Sequence, residues 1–123
     1  MRTFPLILCA SAVLGSCLAL VACSDSDGGS SGSQRINVKL TADGCEPASM
    51  SATAGAITFV VTNAGTASVT EFEVLWVGNI LGEVENVIDG LTSRFTLNLG
   101  PGEYTTICPG GKTSEQGSLT VTG

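Results

Sequence analysis

The stretch Leu97–Gly117, LNLGPGEYTTICPGGKTSEQG, restricts the fold more than any other in the chain. Phe95, Leu97 and Leu99 alternate with polar residues, as one face of a half-buried strand does, and run into Gly100-Pro101-Gly102. Tyr104–Cys108 reads as the next strand and ends at once in Pro109-Gly110-Gly111. Glycine and proline on both sides hold that strand to about five residues, an ordinary length. The spacing therefore puts Cys108 at a strand end, facing a loop, where a β-sandwich displays its chemistry.

The same punctuation recurs from Gln34 onward. Ile36, Val38 and Leu40 alternate with polar residues, and Met50, Ala52 and Ala54 form a weaker stretch closed by Gly55. Ile57–Val61 is apolar at nearly every position, the pattern of a strand covered on both sides. Turns at Asn63-Ala64-Gly65, Gly78-Asn79 and Asp89-Gly90 separate strands predicted at Val69–Trp76, Ile80–Val87 and Leu91–Leu99, and Ser118–Val121 closes the series. Outside the N-terminal segment no window of ten residues shows a helical period. Seven or eight short strands with regular turn signals predict an all-β Greek-key sandwich over 34–123. About 90 residues make a small core, and such a domain gains from a covalent or metal staple.

The N-terminus is a different kind of sequence. Met1-Arg2-Thr3 is a short cationic start, and Phe4 to Ala22 is almost wholly apolar or small. Leu20-Val21-Ala22-Cys23 matches a bacterial lipobox, in which Cys23 is lipidated and becomes the first residue. A plain signal peptide or a spanning anchor is the alternative, since the length alone permits a span. The small residue before Cys23 and the polar Ser24-Asp25-Ser26-Asp27 after it favour cleavage. Residues 1–22 are thus expected to be a lipoprotein signal peptide. Residues 23–33 are expected to be the lipidated cysteine and a flexible Ser/Asp/Gly tether, leaving the domain anchored to the cell membrane on its extracytoplasmic side.

Cleavage would remove Arg2, Cys9 and Cys17. Arg35, Lys39, Arg94 and Lys112 then face eleven acidic residues, a balance of −7. No basic patch exists to neutralise phosphates, which argues against nucleic acid. Of the five cysteines only Cys45 and Cys108 would remain unmodified. Outside the cytoplasm such a pair is usually a disulfide; the competing reading is a pair of thiolate ligands for a soft metal. The chain has no histidine, so a Ser-His-Asp or Cys-His arrangement is absent, as are phosphate-loop and nucleophile-elbow motifs. A non-enzymatic role is expected. Glu71 and Glu73 stand at i and i+2 of a strand, pointing to one face, with Phe72, Val74 and Trp76 on the core side. Glu73, Glu83, Glu85 and Asp43 read as solvated surface, and Glu46 as a weak candidate ligand.

The PGxYxxxC hairpin Pro101-Gly102-Glu103-Tyr104 to Cys108 resembles the last hairpin of cupredoxins, although Pro109–Gly117 holds neither the His nor the Met of blue-copper proteins. The chain is more similar still to the N-terminal cupredoxin-like domain of EfeO proteins, extracytoplasmic components of an iron-uptake system. The matching pieces are Cys45-Glu46-Pro47, Ala54-Gly55, Thr58-Phe59-Val60-Val61, Glu71-Phe72-Glu73-Val74-Leu75, the PGEY hairpin with Cys108, and Gly117-Ser118-Leu119-Thr120-Val121. The resemblance implies a domain that binds or relays copper or ferric iron, with Cys45, Glu71 and Cys108 as candidate ligands, serving an iron-uptake permease or another surface protein. A type 1 copper site is not expected, since it takes two imidazoles. The alternative is a metal-free interaction domain held by a Cys45–Cys108 disulfide. The sequence departs from the family at Thr106, where some members have Met, and at Trp76-Val77, where a more polar pair is expected. EfeO proteins usually continue into a large helical domain, whereas the sequence here runs to Gly123.

Overall fold

The computed structural model describes residues 32–123; the predicted signal peptide, Cys23 and most of the tether lie outside them. Nine strands form two packed sheets: β1 (Gln34–Thr41), β2 (Gly44–Glu46), β3 (Ser49–Thr53), β4 (Gly55–Asn63), β5 (Phe72–Trp76), β6 (Asn79–Val84), β7 (Thr92–Leu99), β8 (Gly102–Ile107) and β9 (Gln116–Thr122). One sheet runs β2-β1-β4-β7 and the other β3-β9-β8-β5-β6. The architecture is the all-β sandwich predicted, and it fits a Greek key. The strand beyond the expected seven or eight is β2, whose three residues are too few to show an alternation.

Both sheets are mixed, because β1 pairs parallel with β4 and β3 parallel with β9. The inner faces carry Val38, Leu40, Ile57, Phe59, Val61, Phe72, Val74, Leu119 and Val121, all buried. Phe59 and Phe95 of one sheet stack at 5.1 Å, and Phe72 of the other tilts against Phe59 at 5.5 Å, so three rings join the layers. Burial of such rings is the main driving term for a core of this size.

Strand β4 alternates instead of being covered on both faces. Ile57, Phe59, Val61 and Asn63 are buried, while Thr58, Val60 and Thr62 are half-exposed. Its outer face carries threonine pairs to β7, Thr58 with Thr96 at 2.7 Å and Thr62 with Thr92 at 2.8 Å. The hydroxyls keep that face wet, and the apolar run was no measure of two-sided burial. The β5–β6 turn also falls one residue earlier than predicted: Val77-Gly78 form it, with Trp76 opposite Asn79. Between Val74 and Leu75 the register shifts and Leu81 becomes the extra residue of a bulge on β6.

The strand directions sort the loops into two ends. One end gathers 42–43, 64–71, 85–91 and 108–115. The other gathers the start of β1, the 77–78 turn and the Gly100-Pro101-Gly102 connection.

Candidate functional site

The first end holds every candidate ligand that the resemblance implies. Cys45 is the middle residue of β2, and Cys108 follows β8 directly; both are buried, at 3% and 0% exposure. Their Cα atoms lie 5.7 Å apart and their sulfurs are joined as a disulfide, within the range a disulfide spans. Of the two readings open in the sequence, the structure therefore has the bonded pair. A sulfur in a disulfide is not a thiolate, so in this state neither cysteine is available as a soft-metal ligand.

The loop after Cys108 is fastened down along its length. Cys108 N–H donates to Glu115 O at 2.7 Å, Lys112 N–H to Ala42 O at 3.2 Å, and Ser114 N–H to Asp43 O at 2.6 Å. Glycines permit this closeness. A β-carbon on Gly111 would lie 2.7 Å from Gly44 Cα and 2.8 Å from Asp43 O, closer than packed carbon atoms approach.

Asn63 is the functional-end residue that sequence reasoning did not single out. Its buried amide donates to Thr66 O at 2.8 Å, Val69 O at 3.2 Å and Val87 O at 2.8 Å. Its Oδ1 accepts from Gly65 N–H at 3.0 Å and Thr66 N–H at 2.9 Å. One side chain thus shapes the 64–71 loop and pins it to the 85–91 loop. The signal was an Asn opening an Asn-Ala-Gly turn, a residue type that bonds to its own following backbone.

Glu71 is half-exposed and sits just ahead of β5, two residues before the Glu73–Ile107 pair that leads to Cys108. Glu73 stands directly opposite Glu83. Partial burial raises the Glu73 carboxyl above its ordinary pKa of 4.5, and the charges of Glu83, Glu71 and Glu85 push it the same way. The sequence pattern reads Glu73 as solvated surface; it is half-buried, and burial first and the two carboxylates that β6 brings beside it next perturb it. Glu83, Glu85 and Asp43 are exposed, as expected, and Glu46, the weak candidate ligand, is exposed as well. Among the described residues no group of three His, Cys, Asp or Glu side chains is placed to hold a metal ion.

A family profile described as a cupredoxin-like domain matches residues 10–121. The iron uptake system component EfeO of Yersinia pestis is 35% identical over 89 residues, 72% of this chain and 23% of that protein. The same component of Escherichia coli K12 is 34% identical over the same span. The chain thus spans about a quarter of the length of these relatives. Among solved structures, auracyanin A, a blue copper protein from Chloroflexus aurantiacus, superposes with a TM-score of 0.62 at 18% identity, covering 74% of this chain and all of that one. Rusticyanin from Thiobacillus ferrooxidans gives 0.56 at 11%, covering 72% and 78%. At these identities the likeness is one of fold. The donor set does not fit a blue copper centre, which takes two imidazoles and a thiolate: the chain has no histidine and its two domain cysteines are bonded to each other.

Proposed function

The chain belongs to the cupredoxin-like domain family, and from that membership we propose that it serves iron uptake outside the cytoplasm, as a disulfide-closed module tethered to the cell membrane by lipid on Cys23. The iron-uptake part rests on the EfeO relatives, which match 89 residues of this chain. The tether rests on the Leu20-Val21-Ala22-Cys23 motif, and the observation that carries the closed module is the Cys45–Cys108 disulfide at the loop end. It turns the position where cupredoxins keep a thiolate into a covalent clasp, with the 108–115 loop sealed over it. The end then serves as a rigid surface for a partner protein, such as another surface protein of an uptake system.

A second reading is favoured by one feature. Glu71, Glu73, Glu83 and Glu85 lie close enough to raise the Glu73 pKa together. Oxygen donors suit ferric and cupric ions, so iron as cargo could be passed along this face with no sulfur ligand.

Deletion of the gene under iron limitation, followed by radiolabelled iron uptake, tests the shared part. Lower uptake, restored by the wild-type chain, is expected; uptake unchanged by deletion would overturn it. Titration of the oxidised protein with Fe(III) citrate or Cu(II) separates the two readings. Saturable binding carries the metal reading, and its absence leaves the interaction domain.

A further inference from the structure

We infer that the β5–β6 turn, at the end of the sandwich opposite the disulfide, is a membrane-contact tip that seats in the surface of the bilayer holding the lipidated N-terminus. The inference rests on the anchor reading above and adds to it an orientation and the residues that make it.

The tip is apolar where a hairpin turn is normally polar. Val77 is 82% exposed and Trp76 42%, and Ile80 and Leu81 beside them are also exposed. Val77 has φ 48 and Gly78 φ 79. Two positive values make this the hairpin turn that favours Asn, Asp or Gly at its first central position. A β-branched residue there is a backbone outlier, and exposure denies it any packing in return. Strain held at a solvent-facing position points to a contact made outside the folded chain.

The site around the tip is built to hold Trp76 outward. Its ring packs on Tyr104 with centroids 4.8 Å apart. A β-carbon on Gly102 would lie 2.9 Å from that ring, so only glycine lets the indole lie there. Tyr104 in turn donates its hydroxyl to Gly100 O at 2.8 Å. An indole fixed at a tip, with aliphatic neighbours, is the side-chain chemistry of the membrane–water interface.

Topology and charge select the bilayer as the occupant. Gln34, the first residue of β1, pairs with Ile57 at the start of β4, and Gly55 there pairs with Leu99 at the end of β7. The chain thus enters the sandwich at the end that carries Val77. Ten Ser, Asp and Gly residues separate Gln34 from Cys23, a mean reach of roughly 17 Å for a flexible tether, so the anchor lies within reach of the tip. Asp43, Glu71, Glu85, Asp89 and Glu115 lie at the far end with Lys112 as the basic residue among them, whereas Glu103 and Arg35 lie at the end that carries the tip, on different sheets. Anionic headgroups therefore repel the disulfide end and leave the tip end free to approach. The candidate partner surface consequently faces away from the membrane.

Trp76 is the only tryptophan in the chain, so its emission reports the tip directly. The full-length lipidated protein would be reconstituted into phosphatidylethanolamine–phosphatidylglycerol vesicles carrying a nitroxide high on the acyl chain. Cosedimentation with the vesicles, with Trp76 emission blue-shifted and quenched by about half or more, is the expected result for an indole at the headgroup boundary. Val77→Asp should abolish the quenching while cosedimentation persists through the lipid. Val77→Asn, which suits the turn, should melt at or above the wild-type temperature and yet also lose quenching. Protein that does not cosediment at all would overturn the anchor and this orientation with it. Protein that cosediments with unquenched Trp76 would overturn the orientation alone.

Discussion

Cys45 and Cys108 join the two sheets: their Cα atoms are 5.7 Å apart, one within an edge strand and the other just past a central strand of the opposite sheet. The bond closes a loop with a sequence separation of 63, worth about 4 kcal/mol through the entropy of the unfolded chain. For a domain of this size that is a large share of total stability. Reduction, or the Cys45→Ala/Cys108→Ala double variant, should lower unfolding free energy by about that amount in a denaturant titration. The untreated protein should show no reactive thiol at Cys45 or Cys108. An unchanged midpoint under reductant would mean that the clasp does not form in solution.

Asn63 makes five hydrogen bonds from a site that is 2% exposed. Asn63→Ala strands three carbonyls and two amides in or near the core. At about 1–3 kcal/mol for each buried group left unpaired, with partial rescue by water, the expected loss is about 3 kcal/mol or more. Hydrogen exchange gives the sharper signature. The Gly65 and Thr66 amides should lose protection in the variant while those of β8 and β9 change little. Uniform loss across the sheets would show that the loop and the core unfold together.

Much of this fold was legible because its turns are written in Gly, Pro and Asn, and its strands alternate. The failures have separate physical causes. Three-residue β2 has no period to read. The apolar run in β4 reflected β-propensity on a wet face, since Thr58 and Thr62 bond to threonines across the ladder. The β5–β6 turn falls one residue before its Gly-Asn cue because Val77 occupies a position where Asn or Gly is expected. At the disulfide end the cysteine count picks out Cys45 and Cys108, but sequence does not decide between bonded sulfurs and free thiolates, which depends on Cα separation. The perturbed carboxylate was missed because the pairing of Glu73 with Glu83 is a matter of register.

That pairing makes stability pH-dependent. Glu73 has a folded pKa raised by burial first and by Glu83, Glu71 and Glu85 next. The folded state then binds the proton more tightly than the unfolded state does. Stability from this group is greatest at low pH, falls as pH rises from the ordinary carboxylate value through the raised one, and is flat above it. Glu73→Gln removes this slope and also relieves a like-charge cross-strand pair, worth about 0.2–1 kcal/mol at neutral pH. Thermal midpoints of both proteins across the acidic range should converge at low pH and separate toward neutrality. Parallel curves would show that Glu73 is unperturbed.

Glu71 tests the metal reading of the loop end. Glu71→Gln keeps the size and removes the charge. If iron or copper is held there, Fe(III) or Cu(II) affinity should fall at least tenfold, about 1.4 kcal/mol. The stability of the metal-free protein should hardly move, because a partly exposed carboxylate contributes little to folding. Glu73→Gln should weaken binding less. Equal affinities in wild type and Glu71→Gln would remove Glu71 from any site.

Thr106 stands between Val74 and Gly117 in the register of β8. It is 0% exposed, and its Oγ1 has no hydrogen-bond partner among the described residues. A buried hydroxyl without a partner costs about 1–3 kcal/mol. Valine has nearly the same shape and no hydroxyl, so Thr106→Val should stabilise the domain by about 1 kcal/mol, against the usual trend for core substitutions. Methionine, the residue found here in some EfeO proteins, should do the opposite. A β-carbon on Gly117 would already lie 2.7 Å from Thr106 Oγ1, so a longer side chain at 106 would overpack the core at a cost of about 1–3 kcal/mol. Denaturant midpoints of the two variants should bracket the wild type, with valine above and methionine below. A destabilised Thr106→Val protein would show that the hydroxyl is satisfied by a buried water.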